Sequence, residues 1–144
     1  MGVAVTAAGL GIEFTALNAN GFYRWLVASF LIGKRIRSSV AVEAYRMLVH
    51  EYGLDTPAKL ANCSHGSLVR ILRRAGYARY DESTARRLRL LATGLDEALA
   101  TRVEAIRSGA TDTIELGKWL LSFEGIGPKT LEIFMREAGP VLQS

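Results

Sequence analysis

At 144 residues with 49% hydrophobic side chains, the chain is long enough to bury one real core, and its three prolines and lack of low-complexity runs exclude a disordered or linker-like polypeptide. The single cysteine, Cys63, excludes an intramolecular disulfide and a cysteine-rich metal site; we read it as a small buried side chain in a protein of the reducing cytoplasm. The net charge of +4 is unevenly spread: Gly21 to Gly94 carries 13 Lys/Arg against 5 Asp/Glu, whereas Leu95 to Ser144 carries 5 against 8.

Met1 to Leu17 is apolar but has no positive leading region, so no signal peptide is expected. Met1-Gly2-Val3-Ala4-Val5-Thr6 satisfies the short myristoylation pattern, but an N-terminal helix or strand packed on the core is the plainer reading. No stretch is apolar over the roughly 18 residues that a membrane span needs.

From there the signals are helical. Asn20 is placed to cap a helix carrying Phe22, Trp25, Leu26, Ala28, Phe30 and Leu31, which ends at Gly33. A second helix is predicted from Ser38 through Val42, Tyr45, Leu48 and Val49 to Gly53. Thr56 and Pro57 read as a cap and a proline start for a short helix ending near Asn62. Ser64 or Ser67 caps the next, which carries Leu68, Val69, Ile71 and Leu72 and closes at Gly76. Another is predicted from Asp81–Ser83 to Gly94, and a further one through Leu99, Val103 and Ile106 before Gly109. The fold class is therefore all-α, in a single domain spanning 1–144; no strand pair and no repeat at solenoid spacing is apparent.

The most informative stretch lies within 114–139. Ile114, Leu116, Leu120, Leu121 and Phe123 mark one helix, and Leu131, Ile133, Phe134 and Met135 a second that runs from Pro128 to Gly139. Between them stands Phe-Glu-Gly-Ile-Gly-Pro-Lys-Thr, residues 123–130. Gly125 and Gly127 permit a tight turn and a close approach, Ile126 can plug the cleft between the helices, and the amides at the helix start favour a phosphate.

These residues resemble the helix-hairpin-helix motif of DNA-binding proteins, whose usual form is a hydrophobic residue, Pro-Gly-Ile/Val-Gly, one variable residue, then Lys-Thr-Ala. Gly125, Ile126, Gly127, Lys129 and Thr130 match it, while Glu124 replaces the usual proline and Leu131 the usual alanine. More weakly, residues 21–139 resemble the helix-hairpin-helix DNA glycosylase superfamily, with endonuclease III as its type. Phe22 to Ala28 is similar to the family's opening core helix, and Ala75-Gly76-Tyr77 through Ala85-Arg86 to its Gly-aromatic-Tyr turn and the following helix. Lys34 falls where endonuclease III has a glutamine that fills the gap left by an extruded base.

The resemblance implies a multi-helix orthogonal bundle or barrel containing one such motif, a double-stranded DNA partner, damaged or abasic, and base-excision chemistry on a flipped base. It implies DNA contacts from Gly125, Ile126, Gly127, Lys129 and Thr130, with Lys34, Arg35 and Arg37 beside them, and Lys129 as a Schiff-base nucleophile. Arg70, Arg73, Arg74, Arg79, Arg86, Arg87 and Arg89 add further cations able to neutralise phosphates. The family's aspartate is expected roughly eighteen residues beyond the lysine, past Ser144, and its iron–sulfur loop needs four cysteines. Glu132 reads as complementing the helix N-terminus and Glu137 as solvated. His50 and His65 have no neighbours at ligand spacing, so no metal or cofactor is expected. Two other readings stay open: a non-enzymatic DNA-binding module, and a helical protein-interaction domain whose hairpin is only a turn.

Overall fold

The computed structural model describes residues 5–14, 19–34, 36–77 and 79–143. Among them are seven α-helices and no strand. Helix α1 (Asn20–Ile32) is apolar on every side and is buried from Gly21 to Leu31 apart from Arg24, so it forms the axis of the core. It packs against α2 (Ser38–Tyr45), α5 (Asp81–Arg107) and α7 (Pro128–Gln143). Two bonds fix it there: the Trp25 indole donates to the Phe134 carbonyl of α7 at 3.1 Å and Tyr23 Oη donates to the Leu54 carbonyl at 2.8 Å, while within α1 the buried Ser29 Oγ is satisfied by donating to the Trp25 carbonyl at 2.7 Å.

The caps follow the sequence closely at α3 (Pro57–Asn62) and α4 (His65–Ala75). Thr56 accepts the Lys59 amide, Ser64 accepts the Ser67 amide, and Gly76 ends α4 in the left-handed region at φ 115°. Asp112 caps α6 (Thr113–Leu121) by accepting the Glu115 amide at 3.0 Å. Asn20 departs from expectation: it is already inside α1, and the capping position belongs to Ala19, whose side chain makes no cap bond. After α2 the chain widens into a π-helical turn (Arg46–Glu51) before reaching Gly53.

Two boundaries differ from the sequence reading, each for a packing reason. The helices expected on either side of Gly94 are one helix, α5. Gly94 lies under the ring of Phe123, where a β-carbon would overlap the aromatic atoms, so this glycine serves a close approach rather than a stop. Helix α7 does not end at Gly139 but runs through Pro140, because Ala138 and Leu142 are both seated in the core. Missing one backbone donor near a helix end costs less than exposing Leu142.

At the N-terminal side, Ala7 and Ile12 are buried and a 3₁₀ turn spans Ala8–Leu10. The Ala7 amide donates to Glu137 Oε2 at 2.9 Å, and Arg136 donates to the Val5 carbonyl. Glu137 therefore secures this segment to α7 instead of standing in solvent. Met1 to Ala4, which carry most of the myristoylation pattern, lie outside the described residues. No helix among the described residues is long and apolar enough to cross a membrane.

Because Trp25 is fully buried and bonded across to α7, we expect Trp25→Ala to cost about 3–5 kcal/mol of folding free energy, read from urea unfolding.

Candidate nucleic-acid interface

The connection between α6 and α7 is built by residues that fix it from behind. Gly125 has φ +96°, and a β-carbon there would sit 2.7 Å from Phe30 Cε2 and 3.2 Å from Arg87 Cδ. Both constraints select glycine. Ile126 is only 5% exposed and belongs to the hydrophobic core, and its amide donates to the Phe123 carbonyl at 3.1 Å. Phe123 in turn lies between Gly94 and Trp119, meeting the indole edge-on at 5.2 Å.

Gly127 differs. Nothing stands within 4 Å of the position its β-carbon would take, and its φ is not in the left-handed region. Its carbonyl accepts the Leu131 amide at 3.0 Å, which makes it the residue that opens α7. The amides of the first turn have no acceptor within a helix, and Pro128 contributes none, so the amides of Lys129 and Thr130 sit at the positive end of α7. Lys129 is exposed on that turn and forms no ion pair with any described residue. This combination can hold an anion such as a phosphate diester.

The expected site residues divide into distinct parts. Thr130 is 2% exposed and packs against Gly33 at the end of α1, where a β-carbon would lie 3.3 Å from Thr130 Cα, so its side chain is not open to a ligand. Lys34 is half-buried, its ammonium 4.1 Å from the centre of the Phe30 ring, and it donates to the Gly125 carbonyl. Burial pushes the Lys34 amine below the ordinary lysine range, and neighbouring Arg87 adds to the effect. Arg37 is exposed just before α2, and Arg35 lies outside the described residues.

Several arginines expected to meet phosphates are otherwise engaged. Glu124 accepts from Arg86 Nη1 and Nη2 at 2.8 and 3.0 Å and from Arg87 Nε at 3.2 Å. Arg73 pairs with Asp81 at 2.8 Å, Arg74 donates to Tyr52 Oη, and Arg70 to Ser67 Oγ. Glu124 thus ties the turn to α5. Glu132 is exposed one turn further along α7.

Beside the turn lies a cavity of about 240 Å³ that the sequence does not announce. Lys34, Ile36, Tyr77, Tyr80, Ser83, Thr84 and Arg87 line it. Its signal was present only as separate pieces: an aromatic pair after Gly76 and a lone lysine after Gly33, which the fold brings together. Cys63 lines a different cavity with Arg70 and Arg74, and burial pushes its thiol up. Among the described residues, no three His, Cys, Asp or Glu side chains gather in a way that would hold a metal.

Two outcomes follow from this geometry. Gly125→Val should lose about 1–3 kcal/mol of stability, and Gly127→Val, which meets no neighbour and no left-handed φ, should lose less than Gly125→Val in the same denaturant titration. The Glu124 carboxyl is held at about 2, against an ordinary 4.5, chiefly by its hydrogen bonds to Arg86 and then Arg87. Its contribution is therefore complete above pH 4.5 and lost as the pH falls through about 2. Trp119 fluorescence should report loosening of the turn in that acid window, and Glu124→Gln should remove the transition; an unchanged acid titration in the variant would contradict the assignment.

No family model, curated protein or solved structure matches this chain.

Proposed function

We propose that the protein binds double-stranded DNA, damaged or abasic, and that it is a helix-hairpin-helix protein related to the base-excision glycosylases and AP lyases. On this reading the helices form an orthogonal bundle around α1, and α6, the turn and α7 are its one helix-hairpin-helix motif. The observation that carries it is the contrast between the two glycines: Gly125 is closed against Phe30, while Gly127 leaves an open approach to the positive end of α7 beside the exposed Lys129. Backbone contact at the turn would be independent of sequence, with Arg37 and Lys129 as additional phosphate neighbours.

The reading favours DNA binding over base excision. Glu124 is committed to Arg86 and Arg87 and Glu137 to the Ala7 amide, so neither is free to assist departure of a base. One observation favours the alternative of a protein-interaction domain: a groove of about 480 Å³ between α6 and α7, bordered by Ile114, Leu121, Leu131 and Met135, with Ile114 66% exposed. It lies along the two helices, away from the cavity beside Lys34.

Fluorescence anisotropy with a labelled duplex tests the proposal. We expect Gly127→Val to weaken binding at matched salt and Lys129→Ala to flatten the slope of log affinity against log salt by about 0.9, the value of one phosphate contact. Wild-type affinity in both variants would exclude the turn as the DNA site.

A further inference from the structure

The cavity beside the turn contains the one described lysine that is both sheltered and open to a ligand. Lys129, Lys59 and Lys118 are exposed, and the last two pair with Asp55 and Glu115. Lys34 instead lines the cavity with Tyr77, Tyr80 and Arg87, its amine anchored by the Phe30 ring and the Gly125 carbonyl. The anchoring carbonyl belongs to the same turn as Gly127, two residues before it, so the amine is tied to the turn proposed to hold the phosphate. Tyr80 is 57% exposed at the cavity rim and offers an aromatic face to a ring-bearing ligand.

We propose that Lys34, rather than Lys129, is the carbonyl-reactive amine of this protein, and that its ligand is an aldehyde carried next to a phosphate. The proposal rests on the reading of the turn as a phosphate site. Arg87 from α5 is the charged group that acts on the amine, and Tyr77 and Tyr80 from the segment before α5 line the same cavity; the Glu124 carboxylate, one residue from Gly125, is taken up by Arg86 and Arg87. The direction of the Lys34 shift, caused first by burial, agrees with the chemistry, since attack needs the unprotonated amine. In the step itself the nitrogen lone pair adds to the aldehyde carbon and the carbonyl oxygen takes up a proton. The resulting carbinolamine then loses water to leave a carbon–nitrogen double bond. Borohydride, supplied from outside, delivers hydride to that carbon and fixes the adduct as a secondary amine.

Such an aldehyde has two sources, a free phosphorylated aldehyde or the ring-opened sugar of an abasic site in DNA, and the experiment separates them. In one arm the protein is treated at neutral pH with pyridoxal 5′-phosphate and borohydride, and the modified lysine is identified by peptide mass mapping. We expect Lys34 to be labelled several-fold faster than each of the other three lysines, and the fast label to vanish in Lys34→Arg, which keeps a cation over Phe30. In the other arm, duplex containing an abasic site is treated with borohydride. We expect a covalent complex with wild type and with Lys129→Ala, but none with Lys34→Arg at DNA concentrations that saturate binding. Label centred on Lys129, even labelling of all four lysines, or a covalent DNA complex that survives Lys34→Arg would overturn the proposal. Fast Lys34 labelling in a protein that does not bind duplex would support the amine assignment with the free aldehyde as its source and would sink the DNA reading alone.

Discussion

The arrangement around the turn depends on one close contact, the Gly125 backbone against the Phe30 ring. Phe30 is fully buried in the central helix, so its position is set by the core. A side chain at 125 would have to displace either that ring or the Arg87 stem. With no side chain, the turn descends onto α1, and three further attachments become possible: Lys34 to the Gly125 carbonyl, Glu124 to Arg86 and Arg87, and Ile126 in the core. The start of α7 is thereby presented by a turn held from α1 and α5 together. Ordering the turn in the free protein means that little conformational entropy remains to be lost on meeting a ligand.

Charge is distributed around the turn in a way that counting residues hides. The middle of the chain is strongly basic, yet three of its arginines are neutralised by Glu124 and Asp81. Glu124 takes two guanidinium groups and so joins α5 to the turn. What remains exposed on the opening turn of α7 is Lys129. A single unpaired cation next to helix-end amides suits a limited phosphate contact more than a broad polyanion surface.

The helical class and most caps were legible because they are local properties. Thr56, Ser64 and Gly76 announce themselves by residue type and spacing, and the apolar run of α1 announces a buried axis. Gly94 and Gly139 were misread because a glycine in a helical pattern has the same local signature whether it ends the helix or admits a neighbour, and only the Phe123 ring and the seat of Leu142 distinguish the two. The same limit applied to the site. Gly125, Ile126 and Gly127 were recognisable as a turn, but their unequal roles, the burial of Thr130 against Gly33 and the capture of Arg87 by Glu124 are long-range facts. Lys34 and Tyr80 share a cavity across 46 positions of sequence, a pairing that no local pattern encodes.

The central claim is that an anion of the DNA backbone sits on the amides that open α7. Proton–nitrogen correlation spectra of the uniformly labelled protein, recorded while a short duplex is added, test it most directly. The account requires the largest amide shift changes at Gly127, Lys129 and Thr130, with smaller ones at Gly125 and Lys34, and their loss when salt is raised. Changes confined to the α6–α7 groove around Ile114 and Leu121, or none at the turn under conditions where duplex binds, would contradict it.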